Sequence, residues 1–204
     1  MDDIVKQAIA KWPNVPHCYG WLALDARGAW RMRDEAAQRA GAPGDRLNNA
    51  ALVGFINRNY AADERGCWYF QNGPQRVYVN LEATPFIART DPALGLALHT
   101  GEALGELDAV TMLDAGALLL RAGAGTGARV AQLDDRDLAQ LLQAMELDGQ
   151  PVTDEALMAW LEGGAGQLAL RWQDRALRIE RLAAGDVPQR FGFVRRPDLL
   201  AAQE

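Results

Sequence analysis

The side chains in this sequence that could hold a metal ion or act as thiol and imidazole catalysts are His17, Cys18, Cys67 and His99. Structural zinc sites use pairs such as Cys-x-x-Cys, which place two ligands on one turn. His17 and Cys18 are instead adjacent and would point to opposite faces of an extended segment. The chain contains no serine, which excludes a serine nucleophile. We therefore predict no metal ion, no cofactor and no catalytic residue, and we interpret the cysteines as small buried apolar residues.

Three further patterns invite a chemical interpretation, and each has a simpler one. The glycine-rich run 123–127 contains no lysine and precedes a predicted strand, which favours a hairpin tip over a phosphate-binding loop. The carboxylates within 134–137 precede a helix, where negative charge offsets the helix macrodipole. Arginines group at 31–33 and at 190–196, and we interpret both short groups as solvated surface.

The remaining candidates for binding are arginine and aromatic residues in the first half of the chain. Arg58 and Tyr60 lie in the predicted loop 57–65, and Trp68 and Arg76 lie in the hairpin that follows. Loops on a rigid scaffold tend to carry binding residues, and arginine and aromatic side chains dominate recognition surfaces. We therefore predict a binding surface formed by these four side chains. The structural alternative is that Trp68 plugs the core and Arg58 caps its helix.

The elements that must position these residues occur twice along the chain. Residues 149–161 align with residues 44–56 without a gap, and apolar residues face apolar residues. Each copy reads as a capped helix followed by a hairpin, and another hairpin precedes each. The fold is therefore predicted to be α+β, a tandem repeat of hairpin-helix-hairpin units with mostly antiparallel sheets and helices packed on one face.

The duplication also predicts the domain boundaries. We place the N-terminal helix and first repeat domain at 1–91, a linker or strand crossover at 92–107, and the second repeat domain at 108–204. Each repeat helix should bury an apolar stripe, which in the first copy includes Leu52 and Ile56.

Composition narrows the possible partners. Apolar residues make up 49% of the chain, and the net charge of −6 argues against binding a nucleic-acid backbone. Residues 1–3 are acidic where a secretion signal would be basic. No run approaches the roughly 18 apolar residues that span a bilayer, and two cysteines do not make a disulfide scaffold. We predict a cytoplasmic protein with no nucleic-acid or membrane partner.

Several segments of the first half occur in a characteristic order: Trp12-Pro13, the strand and turn of 24–30, the helix segment 52–55 and the strand of 74–86. Across about residues 12–91 the chain thereby resembles a proteobacterial family, domain of unknown function 1285. The resemblance implies a two-domain α+β fold with repeated motifs and a proposed role in signalling. It implies no established activity.

These observations predict a binding or interaction protein that recognises a small ligand or a protein, is connected with signalling, and performs no chemistry. The alternative is a small-molecule enzyme with an unassigned site of Asp, Arg or Tyr. A ligand-binding protein requires a pocket with convergent polar groups, whereas an enzyme requires a cleft with strongly perturbed titrating groups. A homodimer is compatible with either function.

Overall fold

The chain is described as a computed structural model that covers residues 1–123 and 125–202. It divides into two compact units. Unit 1 comprises residues 1–85 and the segment from 191 onward, and unit 2 comprises residues 86–190. The boundaries predicted at 91/92 and 107/108 therefore shift, and the C-terminal segment belongs to the first unit. The physical reason is strand pairing, because the strands of 86–98 hydrogen-bond within the second sheet.

The elements are short and follow in chain order. Unit 1 contains α1 (Asp3–Lys11), β1 (Cys18–Leu24), β2 (Trp30–Met32), α2 (Glu35–Ala40), β3 (Asp45–Arg46), α3 (Ala50–Arg58), β4 (Tyr60–Ala62), β5 (Trp68–Asn72) and β6 (Gln75–Leu81). Unit 2 contains β7 (Phe86–Asp91), β8 (Gly95–Leu98), β9 (Leu107–Leu113), β10 (Leu118–Ala122), β11 (Arg129–Leu133), α4 (Leu138–Leu142), β12 (Met145–Leu147), β13 (Gln150–Pro151), α5 (Asp154–Leu161), β14 (Leu168–Trp172) and β15 (Arg175–Leu182), and it ends within α6 (Val187–Phe191). Helix α7 (Pro197–Ala201) follows and belongs to unit 1.

The sheet of unit 1 has the strand order β3-β2-β1-β6-β5-β4. Its neighbours pair antiparallel except β1 and β6, which run parallel and place Leu22 beside Val79. Helix α3 packs on one face, where the rings of Phe55 and Phe70 lie 5.4 Å apart. Helix α7 packs on the other face, where Leu200 joins the cluster around Tyr78. The expectation of helices on one face is therefore corrected for this unit, because the returning C-terminal segment covers the second face.

Unit 2 has a mixed sheet of nine strands in the order β13-β12-β14-β15-β9-β10-β11-β7-β8. Strands β15 and β9, and β11 and β7, pair parallel, and the others pair antiparallel. Its core is a large apolar cluster that includes Leu120, Met145, Trp160 and Leu170. None of the helices within the described residues is long and apolar enough to cross a membrane.

The α+β class is confirmed, and the tandem repeat is not. A helix followed by an antiparallel hairpin does occur in each unit, as α3 with β5 and β6 and as α5 with β14 and β15. The flanking segments differ, since helix α2 separates β3 from its partner β2, whereas no helix separates β13 from its partner β12. The sheets also differ in strand number, six against nine.

Side-chain caps start both repeat helices as the sequence predicted. The Asn49 side chain accepts from the Leu52 backbone N–H at 3.0 Å, and Thr153 caps α5 in the same way. Ile56 is 2% exposed and belongs to the core, but Leu52 is 37% exposed. The expectation that Leu52 is buried was wrong, because its side chain lines an apolar cavity that is open to solvent.

Asp134 is the most deeply buried carboxylate of unit 2, at 1% exposure. Its oxygens accept from Nε of Arg136 at 2.9 Å and from Nε of Arg89 at 3.0 Å. The hydrogen bonds and charge of Arg136, and to a smaller extent the charge of Arg89, hold the pKa of the Asp134 carboxyl well below its usual range despite its burial. The carboxylate therefore joins β7 to the turn before α4, as a structural group rather than a catalyst.

We expect Ile56→Ala to lower the free energy of unfolding by about 2–5 kcal/mol, through lost transfer energy and the cavity it leaves. Leu52→Ala on the same helix should cost less than about 1 kcal/mol because that side chain is partly in solvent. Urea denaturation of the two variants measures both values. Equal losses would show that the stripe is buried as the sequence suggested.

Asp134→Asn should lower the free energy of unfolding by about 1–3 kcal/mol at neutral pH, because two arginines lose a buried acceptor. The folded pKa of Asp134 lies below the unfolded value, so its contribution is present above about pH 4 and is lost as the pH falls below that. Urea denaturation between neutral pH and about pH 3 should therefore show a shallower acid decline in the variant. Asp174→Asn, in an exposed turn, is the control. Parallel pH profiles for the wild type and Asp134→Asn would contradict the assignment.

Candidate functional site

The four predicted binding residues do not line one surface. Tyr60 and Trp68 lie together, with ring centroids 4.7 Å apart. Arg76 instead lies over the ring of Tyr69, 4.6 Å from its centroid. Trp68 and Tyr69 are consecutive in β5, so their side chains point to opposite faces of the sheet. Arg76 is thereby separated from the Tyr60 and Trp68 pair.

Arg58 and Tyr60 are both engaged within unit 1. The Arg58 Nε lies 3.4 Å from each carboxylate oxygen of Asp2, and the guanidinium is exposed. The Tyr60 hydroxyl donates to the Pro85 carbonyl at 3.0 Å, and burial raises the pKa of that hydroxyl well above its usual value. These contacts explain both side chains structurally, and a binding role for any of the four residues stays a prediction.

An Asp, Arg and Tyr cluster of the kind that the enzyme alternative requires does exist on the second face of the sheet. Asp63 accepts from the Tyr78 hydroxyl at 3.0 Å and from Arg65 Nε at 3.3 Å. Burial alone would raise the pKa of Asp63, but hydrogen bonds from Cys67, Tyr78 and Arg65 hold it below its usual value. Burial raises the pKa of Tyr78. Both values move away from neutral pH, which is the opposite of what acid–base catalysis needs.

A pocket of about 260 Å³ in unit 1 is lined by arginines from both of the groups, at 31–33 and at 190–196, that we interpreted from the sequence as solvated surface. Its lining includes Arg31, Arg33 and Arg196, and we call it the arginine pocket. That interpretation is corrected for Arg33, which is only 7% exposed. A signal was available in the sequence: Arg31 and Arg33 are two residues apart at a predicted strand and so share a face.

Strand register places the polar lining side by side. Ala23 in β1 lies opposite Arg31 in β2 and beside Asn80 in β6, so these three residues form one row across the sheet. Asp25 and Glu82 directly follow the ends of β1 and β6. Because these two strands run parallel, their carboxyl ends meet at one edge of the sheet, where ligand crevices form in many parallel sheets.

A close backbone approach fixes Arg33. Its Nε donates to the Ala42 carbonyl at 3.0 Å, and its own carbonyl accepts from the Gln38 side chain at 3.0 Å. Gly44, with φ of +81°, allows the loop after α2 to approach β2, since a Cβ there would lie 2.2 Å from the Met32 carbonyl oxygen. The guanidinium is thus held by the Ala42 carbonyl, and a ligand would not have to order it.

Two of the three arginines in this pocket are neutralised by neighbouring carboxylates. Arg31 donates to Asp25 through Nε and Nη2 at 2.8 Å each. Arg196 donates to both oxygens of Asp198, and this hydrogen bonding raises the arginine's pKa. Arg33 has no carboxylate partner among the described residues, and its hydrogen bond to Ala42 uses only Nε.

Asn80 adds an unusual polar group to the lining. Its residue is 5% exposed, and neither amide atom has a hydrogen-bond partner among the described residues. Burial alone would raise the pKa of the nearby Asp198 carboxyl, but Arg196 and then Asn80 hold it below its usual value. The Asn80 amide is therefore close to Asp198, yet outside hydrogen-bonding geometry.

A larger concavity of about 590 Å³ in unit 2 is less suggestive of a ligand. Its carboxylates are Asp91 and Asp137. Asp91 accepts from the backbone N–H groups of Ala93 and Leu94, and Asp137 accepts from that of Thr90. This is the bonding of turn and capping residues, and it accounts for both acids without a ligand.

Comparisons with known proteins identify relatives without assigning an activity. No curated protein matches the chain. A crystal structure of a DUF1285 family protein from Silicibacter pomeroyi DSS-3 is similar at 14% identity and a TM-score of 0.49, over 84% of this chain and 86% of that one. It comes from the family that the first half of the sequence resembles. The family model DUF2944, described as "Protein of unknown function (DUF2946)", matches residues 1–198. The chain therefore belongs to this family of proteins of unknown function.

Proposed function

We propose that unit 1 is a binding module for a small anionic molecule, which occupies the arginine pocket. The observation that carries the proposal is Arg33, a residue that is only 7% exposed, whose guanidinium is held by the Ala42 carbonyl and has no carboxylate partner among the described residues. Burying an unpaired charge is costly. A ligand anion would supply the missing partner, and the fixed fork of the guanidinium suits a carboxylate or phosphate.

Charge and size support the same class of ligand. Arg31 pairs with Asp25, and Arg196 pairs with Asp198, so Arg33 is the lining cation that no carboxylate pairs with among the described residues. A fixed positive group of this kind favours an anion, even on a chain whose net charge is −6. The volume of about 260 Å³ lies just under the range of about 300–1,000 Å³ typical of ligand pockets. The proposed ligand is therefore a small molecule.

The proposal is tested by titrating the protein with valerate, 2-hydroxyvalerate, 2-aminovalerate and inorganic phosphate, using NMR chemical shifts to reach weak affinities. We expect at least one probe to bind in a saturable manner. Arg33→Gln should weaken that binding by about 1.5–3 kcal/mol, roughly tenfold or more, because a charged hydrogen-bond donor is lost. The amide spectrum of the variant reports whether it stays folded.

Arg39→Gln is the matched control, since Arg39 is an exposed arginine of unit 1 that donates to its own helix at Glu35. It should bind as the wild type does. Absence of binding by all four probes, or equal binding by Arg33→Gln and the wild type, would refute the arginine pocket as an anion site.

A further inference from the structure

Two charged side chains of the arginine pocket have no oppositely charged partner in the described part of the chain, and they narrow the chemical class of the ligand. Arg31 is matched by Asp25, and Arg196 is matched by Asp198. Arg33 and Glu82 are then the only lining charges without an opposite charge paired to them among the described residues. One is positive and one is negative. A ligand complementary to both must present an anion to the first and a hydrogen-bond donor to the second.

Glu82 is able to take such a donor. One carboxylate oxygen, Oε2, accepts from the Ala26 backbone N–H at 2.9 Å, which fixes the side chain at the rim of the pocket. The residue is exposed, and its other carboxylate oxygen, Oε1, has no hydrogen bond among the described residues. A hydroxyl or ammonium group could therefore bind there without displacing a protein contact.

Asn80 points to the same combination of groups. A side-chain amide offers both a donor and an acceptor, and buried polar groups in folded proteins are almost always hydrogen-bonded. Neither Asn80 amide atom has a hydrogen-bond partner among the described residues; both atoms are enclosed, and the residue lines the pocket. A rotation of this side chain towards the pocket would let a ligand that carries an acceptor and a donor close together satisfy both atoms, whereas a plain carboxylate offers acceptors only.

We infer that the ligand of the arginine pocket is a small carboxylate whose neighbouring carbon carries a hydroxyl or amino group. This inference rests on the proposed anion-binding function and specifies its ligand. Arg33 binds the carboxylate, Glu82 accepts from the hydroxyl or ammonium group, and Asn80 completes the contacts. Inorganic phosphate fits poorly, because its second negative charge would face Asp25 and Glu82.

The experiment compares the affinities of the four probes with one another. Valerate, 2-hydroxyvalerate and 2-aminovalerate have the same carbon chain and differ only at the second carbon. We expect the hydroxy and amino acids to bind about tenfold more tightly than valerate or inorganic phosphate, the difference that one charge-assisted hydrogen bond makes. Glu82→Gln should reduce that preference to about threefold or less, because a neutral amide accepts more weakly than a carboxylate.

Glu64→Gln is the matched control, since Glu64 is another exposed glutamate of unit 1 and lies outside the pocket lining. It should keep the full preference. If valerate or phosphate binds as tightly as the substituted acids and still requires Arg33, the inference fails while the anion-binding function stands. If Glu82→Gln keeps the full preference, Glu82 is not the acceptor and the inference fails. If no probe binds, or if binding is independent of Arg33, the proposed function fails as well.

Discussion

The parallel pairing of β1 with β6 is the constraint on which unit 1 depends. It joins strands that are distant in sequence and sets Leu22 beside Val79 and Leu24 beside Leu81. The same register brings the residues that follow the two strands to one edge of the sheet. The C-terminal segment packs against both strands and closes the second face. The arginine pocket therefore results from the topology, and a change in this register would move its polar lining to other positions.

Within that frame, charge pairing separates structural residues from candidate binding residues. Asp63, Asp134 and Asp198 each have a pKa below the usual value, and each accepts hydrogen bonds from at least one arginine of its own unit. Such carboxylates stabilise the fold and are poor candidates for chemistry near neutral pH. Arg33 stands apart because the residue is buried and a backbone carbonyl, that of Ala42, holds its guanidinium in place of an acid. The lack of a carboxylate partner for Arg33 among the described residues is therefore what marks the arginine pocket as a candidate binding site.

Local sequence patterns predicted the helices and hairpins well, whereas features set by contacts between distant parts of the chain were not predicted. Asn49 and Thr153 cap the helices that the sequence indicated, because capping depends on neighbouring residues alone. The return of the C-terminal segment to unit 1 depends on contacts more than 100 residues apart, such as the hydrogen bond from Arg195 to the Ala83 carbonyl, separated by 112 residues. No local pattern reveals that contact. The return of this segment also brings Arg196 to the pocket of Arg31 and Arg33. In the sequence these arginines stand in two distant groups, and nothing local shows that they share a site.

The central claim is that the Arg33 guanidinium is a preorganised anion receptor, and NMR of side-chain Nε–H groups in arginine-labelled protein tests it most directly. The Arg33 resonance is assigned by its disappearance in Arg33→Gln. Titration with 2-hydroxyvalerate should shift this resonance in a saturable way while that of Arg39 stays in place. An Arg33 resonance that does not respond, or one that moves together with Arg39 as a general effect of ionic strength, would contradict the account.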